Sequence, residues 1–151
     1  TVRCMMMRTR MIDIHKKKVQ YREATATGKI RLTTKTMERI KAGKIEKGDP
    51  IQIAILAGIQ GAKLTPTVIP LCHPLPLERT DVKLEFNKSG LKATATVVAT
   101  SKTGVEMEAL VAVTTALLNI WDVLKMYEKD KDGQYPFTEI SNIRVIRKIK
   151  R

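Results

Sequence analysis

The apolar positions of this chain fall into four alternating stretches and three helical ones. In DVKLEF, Val82, Leu84 and Phe86 alternate with charged residues, and in LKATATVV the apolar set is Leu91, Ala93, Ala95 and Val97. Successive strand residues point to opposite faces, so each segment buries one face. The residues between them, Asn87-Lys88-Ser89-Gly90, are turn formers, and the pair reads as a hairpin. Thr25 to Leu32 (TATGKIRL) reads as part of a strand that begins near Val19, with Gly28 marking an interruption or bulge. Ile140 to Ile149 alternates again. Ile143, Val145 and Ile149 point one way and Arg144 and Arg147 or Lys148 the other, and the pattern breaks near Ile146.

Thr34 to Ala42 carries Met37 and Ile40 at helical spacing, with Thr34 as N-cap and Gly43 where a left-handed C-cap belongs. Asp49-Pro50 then restarts a helix. Asp49 caps it, and Pro50 sits at the first position, where its missing donor does no harm. Ile51 to Ala62 is apolar nearly all round, so it is buried or lies in an interface. A long helix is predicted from Glu106 to about Tyr127. The order is strand, two helices, two strands, helix, strand. That is close to a split βαβ pattern with one extra short helix: α+β, a four-stranded antiparallel sheet with helices on one face. A second subunit is the simple cover for the other face.

Three places could carry chemistry. The strip VIPLCHPLPLE, 68–78, sets Pro70, Pro74 and Pro76 around Cys72 and His73, which excludes an ordinary helix or central strand. It is either a plain rigid turn or the wall of a binding site. On the long helix, Glu108, Thr115, Asn119 and Asp122 fall within about 60° of one another at 100° per residue, with Lys125 bordering them. The stripe is either the wet face or a polar seam in a buried helix. A desolvated carboxylate there would need a partner, and Lys125 is the nearest to Asp122. Partial burial would move both pKa values toward catalytic use. In SKTGVEMEAL, 101–110, Thr103-Gly104 reads as an N-cap region, and Glu106 and Glu108 complement the helix dipole. Arg22, Lys47, Lys63 and Lys102 read singly as solvated charges, and GIQGAKLT lacks the spacing of a phosphate-binding loop.

Composition narrows the classes. The 151 residues fit one domain, and 43% apolar with 4% aromatic residues means an aliphatic core. No unbroken apolar run reaches membrane-span length, and the opening TVRCMMMRTR has no apolar core of a signal peptide. Residues 1–10 are expected to be a disordered extension, leaving 11–151 as the domain. Two cysteines, Cys4 and Cys72, make no framework and suggest free thiols in a cytoplasmic setting. With only two His and two Cys, no metal is expected. The net charge of +13 points to phosphates, nucleic acid or acidic surfaces, or to a lysine-rich composition suited to heat. A nucleic-acid-binding module is the alternative class, although Phe86 and Phe137 are the only phenylalanines for base stacking. A pure assembly protein is a third.

Taken together, AGIQGAKLTPTVIPLCHPLPL (57–77), KTGVEMEAL (102–110) and IWDVLK (120–125), with MIDI, YREATATGKIRL and KGDP, resemble the molybdenum cofactor biosynthesis protein C family. The resemblance spans about residues 11–150. It implies a ferredoxin-like subunit that pairs and assembles as a hexamer, a trimer of dimers, with active sites between subunits. It implies a cyclic pyranopterin monophosphate synthase that rearranges 3′,8-cyclo-7,8-dihydro-GTP with loss of pyrophosphate, without metal or cofactor. By the same resemblance Asp122 is catalytic, with Lys125 and Lys47. Leu71, Cys72, His73, Met107, Glu108 and Glu106 line the substrate, and Lys63 and Arg22 meet the triphosphate. Gly61 stands where the family often has Ala, and the chain ends RKIKR rather than in a glycine-rich tail, with Lys148 as that tail's nearest remnant.

Overall fold

The structure is a computed structural model that describes residues 7–151. Cys4 and the first part of the expected 1–10 extension lie outside the described residues, and residues 7–10 are exposed coil. Four strands, β1 (Gln20–Arg31), β2 (Leu77–Phe86), β3 (Gly90–Ser101) and β4 (Glu139–Lys150), form one sheet in the order β2-β3-β1-β4. All three pairings are antiparallel. Helices α1 (Thr34–Lys41), α2 (Pro50–Lys63), α3 (Thr65–Val68) and α4 (Glu106–Glu128) complete the fold, with α4 packed on the central strands and α2 between α4 and β2. This is the predicted α+β sandwich of a four-stranded antiparallel sheet with helices on one face.

The alternation does what the sequence implies. Ala24, Ala26, Ile30, Leu91, Ala93, Ala95, Val97 and Ala99 are all at most 1% exposed, forming the floor on which α4 lies. The small residues let the helix come close. At Gly28 a Cβ would stand 2.8 Å from Val113 Cγ1 and 2.9 Å from Leu117 Cδ1. Gly28 therefore marks close helix–sheet approach. The β1–β4 register also shifts around it, whereas β1 and β3 stay in register throughout. The opposite face carries Thr25, Thr27, Lys29, Lys92, Thr94 and Thr96, with the Thr25 and Thr96 hydroxyls 2.8 Å apart. That face is mostly polar, with Val98 and Ile146 as apolar members.

Several boundaries differ from the sequence reading. The cap of α1 is Thr33, whose side chain accepts from the Thr36 N–H, one residue before the predicted Thr34. Asp49 caps α2 as expected, accepting from Ile51 and Gln52 N–H. Helix α2 is not buried all round: Ala54 is fully covered while Leu56 is 67% exposed. The four-residue α3 was not anticipated, because Pro66 within it reads as a helix breaker. Strand β2 begins at Leu77, not Asp81. Thr103-Gly104 does not cap α4. Its N-cap is Val105, which offers no side-chain bond. Helix α4 is long and apolar enough to cross a membrane by composition, but half of that window is buried inside the domain.

Candidate active site

Asp122 and Lys125 lie one turn apart on the exposed side of α4. Lys125 Nζ is 2.9 Å from Asp122 Oδ1. A second ammonium arrives from the α1–α2 connection: Lys47 Nζ stands 3.1 Å from Asp122 Oδ2 and 3.2 Å from the Asp122 carbonyl oxygen. One carboxylate thus bridges two lysines. The side chains are 55% (Asp122), 42% (Lys125) and 38% (Lys47) exposed. The expectation of a pair sunk in an apolar helix is therefore corrected for the single chain. So is its electrostatic corollary. Hydrogen bonds from Lys125 and then Lys47 hold the Asp122 carboxyl below the usual aspartate range. The Asp122 carboxylate in turn raises the Lys125 ammonium. Both groups move away from neutrality, which fixes a carboxylate beside two ammonium ions at neutral pH.

A buried acid, Glu108, is 2% exposed in the first turn of α4. Among the described residues its Oε1 has no hydrogen-bond partner, and its Oε2 faces the Cys72 thiol at 3.8 Å. Burial raises its carboxyl above the usual glutamate value, and the charge of Glu106 adds to this against bonds from its own backbone and Cys72. Burial likewise raises the Cys72 thiol, with the Glu108 charge behind it. That disfavours a thiolate nucleophile. Burial opposes ionisation of Glu106, but Lys148 at 2.5 Å and the local backbone N–H outweigh it and hold the carboxyl low.

The proline strip forms an irregular turn. Cys72 N–H bonds the Ile69 carbonyl at 3.0 Å, Leu71 is exposed and His73 half-buried. Met107, 38% exposed, lies between the two glutamates. Arg22 is not a solvated charge. It is 5% exposed, and its guanidinium donates to the carbonyls of Ser101 and Lys102, at 3.4 and 3.1 Å. Lys102 reaches the His15 carbonyl at 3.2 Å. Lys63, at the end of α2, is exposed and makes no ion pair among the described residues.

The predicted residues therefore form two clusters. One is Asp122, Lys125 and Lys47; the other gathers Glu106, Glu108, Cys72, Arg22 and, from edge strand β4, Lys148, the nearest remnant of the tail, as the partner of Glu106. Asp122 and Glu108 are fourteen residues apart on one helix, about 21 Å along its axis, so one chain does not join the clusters. The stripe that suggested a single face is divided as well. Thr115 packs at Gly61, where a Cβ would stand 2.5 Å from its hydroxyl, and Asn119 Nδ2 bonds the Thr115 carbonyl at 2.9 Å. Phe86 and Phe137 lie under Lys41 and Arg31, at 4.9 and 4.7 Å, so neither is an open stacking platform. Among the described residues no three His, Cys, Asp or Glu side chains gather as a metal-holding group.

Fold and clusters define an α+β protein that presents a lysine-flanked carboxylate, and a buried acid, on one long helix. Residues 11–150 match the model of the MoaC family, and the chain belongs to that family. A protein of Sulfurisphaera tokodaii named "Probable cyclic pyranopterin monophosphate synthase" is 53% identical over 145 residues, covering 96% of each chain. Its namesake in Sulfolobus acidocaldarius is 55% identical over 140 residues, 93% of this chain and 98% of that one. That of Thermococcus onnurineus is 52% identical over 141 residues, 93% and 90%.

Proposed function

We propose that this chain is a cyclic pyranopterin monophosphate synthase of molybdenum cofactor biosynthesis. It converts the cyclised GTP derivative to the cyclic monophosphate and releases pyrophosphate, in the cytoplasm. Membership of the MoaC family and the names of relatives about half identical over nearly the whole chain support the reading. The observation that carries it is the Asp122 carboxylate held between Lys47 and Lys125. An ionised acid beside charged amines is ready to accept a proton from one substrate position while an ammonium gives one to another. Ring opening and reclosure of the purine-derived system need such transfers.

Glu108 supplies a second kind of acid. Its raised carboxyl holds its proton more readily than Asp122, and its bare Oε1 is free for a ligand donor. The proline strip with Leu71, Cys72 and His73, together with Met107 and Glu106, walls the pocket around the bicyclic base. Pyrophosphate leaves with charge that cations must neutralise. Lys47 and exposed Lys63 are suited to that task, whereas Arg22 acts from behind by holding the Ser101–Lys102 backbone that leads into α4, whose first turn bears Glu106 and Glu108.

The two clusters become one site when a second copy brings the Glu108 end of its α4 against the Asp122 end of the first. A homo-oligomer, built from such dimers into a hexamer, is the assembly this requires and the family resemblance implies. Exposed Leu56 and Leu118, at 67% and 56%, are apolar surface available for it. The test is incubation of the protein with the cyclised GTP derivative, followed by mass spectrometry of the product and a pyrophosphate assay. Asp122→Asn and His73→Ala chains, each inactive alone, should recover activity when mixed. Absence of cyclic monophosphate from the wild-type reaction sinks the reading. Product without recovery on mixing sinks only the shared site.

A further inference from the structure

Tyr127 is used by none of the roles above. It lies on the last turn of α4, beyond Asp122 and Lys125. Its hydroxyl oxygen accepts the backbone N–H of Glu46 at 2.9 Å, and the Arg39 guanidinium covers its ring at 4.3 Å from the centroid. Glu46 is the residue before Lys47. The connection between α1 and α2 thus reaches α4 at two neighbouring points, Glu46 N–H on Tyr127 and Lys47 Nζ on Asp122.

The connection otherwise has few ties. Ile45 is its one buried side chain, at 8% exposure. Gly43 and Gly48 turn the backbone at either end, with φ of +68° and +119° that other residues rarely adopt. Within it, Lys44 N–H bonds the Arg39 carbonyl at 3.0 Å and Gly48 N–H the Ile45 carbonyl at 3.2 Å. None of these holds the backbone of residue 46 against α4. A lysine ammonium hangs on a flexible four-carbon stem, so its position depends on where its backbone is fixed. A plain packing role for Tyr127 would need only the ring under Arg39. The directed bond from the adjacent backbone N–H is what that role leaves unexplained.

We infer that Tyr127 is a positioning residue: by accepting the Glu46 N–H it fixes the connection so that the Lys47 ammonium stands on the Asp122 carboxylate. The kinetic consequence rests on the function proposed above; the placement of Lys47 does not. Asp122 faces Lys125 and Lys47, with Tyr135 the other titratable group acting on Lys125.

Tyr127→Phe, made in the full chain, keeps the ring and its contact with Arg39 and removes only the oxygen. The expected result has four parts. The Glu46 amide exchanges with solvent about tenfold faster, the loss typical of one hydrogen bond in a locally opening segment. The Asp122 carboxyl, followed by carbon NMR, titrates at higher pH than in wild type because Lys47 no longer dwells on it. Added to Lys47→Met, Tyr127→Phe moves that midpoint no further. Turnover by Tyr127→Phe falls about tenfold in kcat, and combination with Lys47→Arg loses no more than Lys47→Arg alone. An unchanged Asp122 midpoint, or additive shifts in the double variant, overturns the inference. Should the wild type give no product, the function fails while the titration still decides the role of Tyr127.

Discussion

The two ends of α4 each bury a carboxylate, and the two surroundings are opposite. Glu128, 5% exposed, is saturated. Its oxygens accept from the Thr33 N–H at 3.2 Å, the Thr33 hydroxyl at 2.8 Å, the Thr138 hydroxyl at 2.7 Å and the Thr36 hydroxyl. It ties the end of α4 to the start of α1 and to the entry of β4. Glu108, 2% exposed, leaves one oxygen bare and the other facing a thiol. A saturated buried acid serves the fold, since every donor it satisfies is a donor the fold would otherwise bury unpaired. A bare one costs stability and is retained where a ligand completes it. Asp122, between them in sequence, is neither: exposed, it owes its ionised form to two lysines.

Replacing these groups in turn sharpens the contrast. Asp122→Asn and Lys125→Ala are expected to lower turnover by at least about a thousandfold. Their thermal unfolding should barely move, because an exposed ion pair contributes only about 0–1 kcal/mol. Normal product formation by either variant refutes the assignment. Glu128→Ala should instead cost stability, roughly 3 kcal/mol for the orphaned threonine donors, read as a fall in the denaturant midpoint. If it unfolds no more easily than wild type, Glu128 is not the tie described.

Gly61→Ala should cost about 1–3 kcal/mol by overpacking against Thr115, and Thr115→Ala should relieve it in the double variant. Equal losses with and without Thr115 would remove that pairing. Glu108→Gln is the smallest change in stability. The folded carboxyl is held above its ordinary 4.5, so the folded state keeps more protons than the unfolded one just above that value. Stability therefore falls as pH rises from about 4.5 toward the raised value. The glutamine variant should lose that slope and match or exceed the wild type at neutral pH. A stabilising trend with rising pH in the wild type would contradict the raised carboxyl.

Much of the fold was legible because the core is written in small alternating residues. Ala93, Ala95 and Val97 announce a one-faced strand, and Asp49-Pro50 announces a helix start, through local chemistry alone. Leu77 was missed as the start of β2 because Glu78 and Arg79 carry no apolar signal and a bulge breaks the register there. The site was legible as residues and not as an arrangement. Helical periodicity placed Glu108 and Asp122 in one wedge, but it says nothing about what covers each turn. It also could not show that Arg22 spends its guanidinium on backbone carbonyls, since those belong to residues far along the chain.

The pairing of β1 has a consequence for how the chain is made. Gln20 meets Ser101 and Arg31 meets Gly90 on one side, and Arg31 meets Glu139 on the other. The strand at the centre of the sheet is thus synthesised long before either neighbour exists. Until β3 emerges it has no edge to pair with, and closing so long a loop is slow compared with forming a helix. During that interval its alanine-lined face is unpaired, and Arg22, Lys29 and Arg31 are charges of the kind that discourage edge-to-edge pairing.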